Sequence, residues 1–132
     1  MTKLRRKIKS EFARLMKEKL HRFPKRRETL DAPSEQGVYV IYGPRSEKPL
    51  HVGRTYRGKN GLKQRLKNHL GGQSSFTIVQ LEREGSKLRR GYRYRYIEVR
   101  SARHRALIEA YATGSLCPVH LGRSADVRAK ST

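Results

Sequence analysis

The run Gly37-Val38-Tyr39-Val40-Ile41-Tyr42 constrains this chain more than any other stretch: after the glycine, every residue is β-branched or aromatic. Residues of that kind favour extended backbone, so the run predicts a strand. A second β-rich run, Leu50-His51-Val52-Gly53-Arg54-Thr55, follows Gly43-Pro44-Arg45-Ser46-Glu47-Lys48-Pro49, a cluster that reads as a turn. An antiparallel hairpin is the simplest solution. A helix comes next, in Gly61-Leu62-Lys63-Gln64-Arg65-Leu66-Lys67-Asn68-His69-Leu70. Leu62, Leu66 and Leu70 recur every four residues as a buried stripe, while Arg65 and His69 form a parallel ridge about 100° away. A cation and an imidazole therefore stand together at the edge of a core.

A length of 132 residues suits one domain with a modest core. Charge says more: 32 Lys and Arg against 11 Asp and Glu give a formal net charge of +21. Such an excess destabilises a compact state by self-repulsion and makes sense when the partner is a polyanion. Nucleic acid is the leading partner. A membrane surface is the competitor, but no run reaches the roughly 20 apolar residues of a spanning helix, and the N-terminus lacks a secretory apolar stretch. The expected setting is cytoplasmic, associated with the nucleoid. Cys117 is the one cysteine, which excludes an intrachain disulfide and a cysteine-rich zinc site, and it reads as a buried, inert thiol. With no Trp, base stacking would fall to seven Tyr, three Phe, His and the guanidinium planes.

Taken in order, residues 3 to 20 place Leu4, Ile8, Phe12, Leu15, Met16 and Leu20 at helical spacing, predicting an amphipathic helix with a basic outer face. Phe23-Pro24 ends it, and Lys25 to Gln36 reads as a connector. Residues 1–35 are thus a basic helix and connector, 36–123 the main domain, and 124–132 a flexible tail. The loop Tyr56-Arg57-Gly58-Lys59-Asn60-Gly61 suits phosphate contact through Arg57 and Lys59, with Arg54 and Lys63 beside it; a plain solvated loop is the alternative. Residues 74 to 84 fit a short helix capped at Ser74 or Ser75, although Thr77-Ile78-Val79 favours a strand. Gly91 to Arg100 alternates Tyr92, Tyr94 and Tyr96 with Arg93 and Arg95, a strand that could offer Arg93 and Arg95 to nucleic acid or simply pack as sheet. Ser101 caps a last helix, ended by Gly114. Within it Glu109 is surrounded by Ala102, Ala106, Ala110 and Thr113, small neighbours that leave room for an approaching group. A helical carboxylate in so basic a chain can hold a cation or pair with a nearby Arg.

Taken together, Gly37-Val38-Tyr39, His51-Val52-Gly53, Arg65 with His69 four residues on, and Glu109 in Ala106-Leu107-Ile108-Glu109-Ala110 resemble the ordered motifs of the GIY-YIG nuclease family. The resemblance spans roughly residues 36 to 121, with His51 where the family usually has Tyr. It implies an α+β domain with a three-stranded, mostly antiparallel sheet flanked by helices, here extended by the basic N-terminal helix. It also implies a metal-dependent endonuclease acting on DNA, double-stranded or branched, with RNA a lesser partner and the chain a monomer or homodimer. By that likeness Tyr39 orients or activates the nucleophile, Arg65 clamps phosphate oxygens through its planar fork, and His69 bonds to Tyr39 or phosphate. Glu109 holds one Mg2+ or Mn2+. His51, with an ordinary pKa near 6.5, would be a competent general base, giving activity that rises between about pH 5.5 and 7.5. The family's Asn after the Glu helix has no counterpart, and His120 is the candidate for its place. The contrasting expectation is a catalytically inactive, RNA- or ribosome-associated basic module.

Overall fold

The computed structural model describes residues 2–56 and 60–121. Its elements are α1 (Lys3–Lys17), β1 (His21–Arg22), β2 (Gly37–Tyr42), β3 (Pro49–Arg54), α2 (Gly61–Leu70), α3 (Ser75–Gln80), a 3-10 turn over Gly85–Arg89, β4 (Arg93–Glu98) and α4 (Ala102–Leu116). Every residue of β2 is buried, as an unbroken apolar run requires: it is stable only with both faces covered. Val38, Val40 and Tyr42 meet Ile8 and Leu15 of α1 and Ile108 and Ala112 of α4 on one side. Tyr39 and Ile41 meet Leu62, Leu66, Phe76 and Leu88 on the other. Each such aliphatic side chain removed from water contributes about 1.5–3 kcal/mol, so the two layers hold the central strand from both faces.

The sheet has four strands in the order β1-β4-β2-β3, with every strand pairing antiparallel. This corrects the expected three. The extra strand is only two residues long, His21 and Arg22 opposite Tyr94 and Arg93, too short for any periodicity to announce it. It is held by stacking: the His21 ring lies 5.3 Å from both the Tyr94 and Tyr96 rings. At the opposite edge, His51 of β3 forms a single parallel bridge with His120, where His120 N–H donates to the Leu50 carbonyl at 2.8 Å. The return after α4 thus covers the β3 edge.

Two helices differ from expectation at their ends. The first stops at Lys17, because Glu18 is already extended and the chain turns into β1. The last runs through Gly114 to Leu116 and is terminated by Cys117 in the left-handed region at φ 47°. That capping position leaves Cys117 exposed rather than buried.

The connector is woven into the domain: Phe23 and Leu30 are buried in the α2-side core. It also begins α2. No side chain caps that helix; instead Leu62 N–H donates to the Glu35 carbonyl and Lys63 N–H to the Pro33 carbonyl, both at 2.9 Å, satisfying donors that a helix start otherwise leaves open. The contact is so close that a β-carbon on Gly61 would stand 2.2 Å from the Glu35 oxygen.

Candidate active site

Tyr39 is fully buried and points from β2 toward α2. Its register partner is Gly53, and the ring lies directly over that residue. A β-carbon there would come within 2.3 Å of the Tyr39 hydroxyl and its ring carbon, so only glycine admits this tyrosine. The hydroxyl sits 2.6 Å from His69 Nε2, and His69 Nδ1 sits 2.6 Å from Ser74 Oγ. Ser74 arrives there because the chain reverses at Gly71-Gly72, Gly72 taking a positive φ of 81° that glycine adopts without strain. Ser74 caps α3 by accepting from Thr77 N–H at 3.1 Å and donates to Thr77 Oγ1 at 3.1 Å; Thr77 Oγ1 donates to the His69 carbonyl at 2.5 Å. The chain Tyr39–His69–Ser74–Thr77 is buried throughout.

His51 enters from β3. Its ring stacks on Phe76 at 5.2 Å and lies 5.3 Å from the His69 ring and 5.1 Å from that of His120. Among the described residues neither His51 ring nitrogen meets hydrogen-bond geometry, although the His120 backbone stands beside it. His120 faces Ser75, its Nε2 3.1 Å from Ser75 Oγ. It therefore lies beside His51 in this cluster.

Arg65 and Glu109 complete the surroundings. The Arg65 guanidinium acts on the Tyr39 hydroxyl and on the Glu109 carboxylate, and Glu109 acts on Tyr39. Glu109, from α4, pairs through Oε1 with Arg54 Nε at 3.4 Å, a Coulombic contact without hydrogen-bond alignment. Arg54 in turn lies over the Tyr56 ring at 4.8 Å. The ion pair is the alternative that the sequence left open for Glu109.

Burial sets the charge states. It raises the Tyr39 phenol well above its ordinary value, with Arg65 opposing. It pulls His51 down to about 3, helped by His120 and Arg65, and pulls His69 well below its usual range, with His51, Arg65 and His120 adding to the effect. At neutral pH both imidazoles are uncharged acceptors or donors. Desolvation also raises Glu109, while Arg54 and Arg65 oppose it.

Of the residues expected to contact phosphate, Arg54 borders this group, and Lys63 lies in the first turn of α2, part-exposed. Arg57 and Lys59 lie outside the described residues. Arg93 and Arg95 face α1 and the β2–β3 turn instead. Arg93 donates to the Ser46 carbonyl at 2.7 Å and to that of Gly43 at 3.3 Å, while Arg95 donates to the Met16 carbonyl and lies 5.1 Å from the centre of the Tyr42 ring. Their guanidinium groups tie the sheet to its neighbours.

Among the described residues no group of three or more His, Cys, Asp or Glu is arranged to hold a metal ion. Glu109 nevertheless fits a cation of the Mg2+ kind, which takes one or two carboxylates and keeps its waters. The part-desolvated carboxylate gains from a cation, with Arg54 at 3.4 Å and the Arg65 charge competing for it. Sequence reading did not single out Ser74 and Thr77 for the site. Their Ser-x-x-Thr spacing is visible as a helix cap, but the reversal that carries it back to His69 is not. The chain matches no protein-family model and no curated protein.

Proposed function

We propose that this chain is a metal-dependent endonuclease, similar in its site to the GIY-YIG nucleases, hydrolysing phosphodiester bonds in DNA. The observation that carries the reading is the convergence of Tyr39, His69, Arg65, His51 and Glu109, drawn from β2, β3, α2 and α4, in a chain of net charge +21. A purely structural tyrosine needs no buried imidazole 2.6 Å from its hydroxyl with a cation near enough to oppose the upward shift of its phenol.

In this scheme Arg65 binds the non-bridging oxygens of the scissile phosphate, where its fork stabilises developing charge. In the free chain the Tyr39 hydroxyl is fully buried, so DNA binding must first uncover it. As the oxygen of a water molecule then bonds to phosphorus, its proton passes to the Tyr39 oxygen, and the Tyr39 proton passes to His69 Nε2. The P–O bond to the leaving oxygen breaks, solvent protonates that oxygen, and His69 later releases its proton. Neutral His51, its ring nitrogens buried, packs 5.3 Å from the His69 ring and backs it without meeting the water. Glu109 would hold Mg2+ or Mn2+, which when bound neutralises charge on the phosphate and the leaving oxygen. Arg54, released from Glu109, is then available to the DNA backbone.

The test is nicking of supercoiled and branched DNA with Mg2+ or Mn2+, comparing wild type with Glu109→Gln and Arg65→Lys. Both variants should lose cleavage by a hundredfold or more while still binding DNA. One observation favours a second reading, a catalytically inactive nucleic-acid-binding module: Arg54 already neutralises Glu109. Wild-type protein that binds DNA or RNA but cuts neither with either metal would establish that alternative.

A further inference from the structure

The hydrogen bonds behind His69 fix where its proton resides. A carbonyl oxygen only accepts, so the Thr77 hydroxyl proton is committed to the His69 carbonyl, 2.5 Å away. Thr77 Oγ1 can then only accept along the 3.1 Å contact with Ser74, which commits the Ser74 hydroxyl proton to Thr77. With its proton spent, Ser74 Oγ accepts from Thr77 N–H at 3.1 Å and from His69 at 2.6 Å. His69 Nδ1 must therefore carry hydrogen. In the neutral ring Nε2 is then bare, and it faces the Tyr39 hydroxyl at 2.6 Å. Ser74, Thr77 and His69 are each at most 4% exposed, so solvent does not offer a competing partner.

We infer that Ser74 and Thr77 are positioning residues that hold His69 as the Nδ1–H tautomer, leaving Nε2 to receive the Tyr39 proton. Their part in catalysis rests on the nuclease reading, but the tautomer does not. The opposite tautomer would point an N–H at Tyr39 and leave Ser74 with no proton to receive. Neither residue touches substrate; each acts through the imidazole.

Nitrogen-15 NMR of the metal-free, DNA-free protein reads the tautomer directly. Wild type should show His69 protonated at Nδ1 and bare at Nε2. Thr77→Val, close to isosteric, releases the Ser74 proton to point at His69, so an Nε2–H population should appear, and Thr77→Ser should restore the wild-type pattern. In cleavage assays Thr77→Val should lower kcat about tenfold with KM unchanged. An Nε2–H ring in wild type, or a Thr77→Val protein that keeps only Nδ1–H, overturns the inference. If the NMR pattern holds and no DNA is cut, the tautomer assignment stands and the nuclease reading falls. Thr77→Val is preferred to Ser74→Ala because the latter also removes the α3 cap.

Discussion

Holding His51 uncharged inside the domain makes stability depend on acid in a way that one substitution can isolate. The folded ring titrates near 3, pulled down mainly by burial, whereas in the unfolded chain it titrates near its ordinary value of about 6.5. Between those two values the unfolded chain binds a proton that the folded chain refuses. Stability is therefore flat above about pH 6.5 and falls as pH drops, by about 1.4 kcal/mol per unit, until the folded pKa is reached. At pH 5 the loss from this ring is RT ln(1 + 10^1.5), about 2 kcal/mol. His51→Phe removes the titration and keeps a ring against Phe76; any loss of the ring's contact with the His120 backbone falls on the neutral form at both pH values. Its packing cost, under about 1.5 kcal/mol, is the same at every pH and cancels. Urea unfolding followed by circular dichroism at pH 7 and pH 5 should show wild type losing about 2 kcal/mol more than the variant, with equal m-values. Parallel losses, within about 0.5 kcal/mol, would refute the claim that this imidazole is held neutral.

Other consequences follow from neighbouring groups. Glu109→Gln should abolish cleavage yet leave Tm unchanged or raised by about a degree or two, measured by thermal melts, since its charged form is disfavoured by desolvation. Cleavage rates should show no rising limb between about pH 5.5 and 7.5 from His51, unlike an ordinary imidazole, because a ring titrating near 3 is already bare there. Gly53→Ala should cost about 1–3 kcal/mol in urea unfolding and most of the activity, because its β-carbon overlaps the Tyr39 hydroxyl. Arg105→Met should cost about 2–4 kcal/mol by the same measurement: that buried side chain donates to the carbonyls of Thr55, Val99 and Arg100 at 3.1, 3.0 and 2.7 Å, and all three would lose their partner.

How much of this was legible from residues alone depended on range. The hairpin, the Leu62-Leu66 stripe and the short helix at Ser74 were readable because period, turn residues and caps are local. So was the nearness of His69 to Tyr39, though only through the family resemblance and not through any spacing. What escaped is what distance in sequence hides. His21 and Arg22 become strand only because Tyr94 and Tyr96 offer a stacking surface more than 70 positions later. Arg93 and Arg95 read as a nucleic-acid face or, more often for such a pattern, as plain sheet packing, and nothing local foretold that carbonyls of Ser46 and Met16 would claim them. The burial of His51 was equally unreadable, since it depends on Phe76 and His120 closing over it, and it overturns the assumption of an ordinary imidazole.

The way α2 begins limits how this domain can take hold of a polyanion. The open amides of a helix start are a ready seat for phosphate, but here the backbone of Pro33 and Glu35 occupies them. Under the proposed nuclease reading, a phosphate strand at this helix would meet side-chain cations such as Lys63 and Arg65, which salt and substitution can weaken one by one.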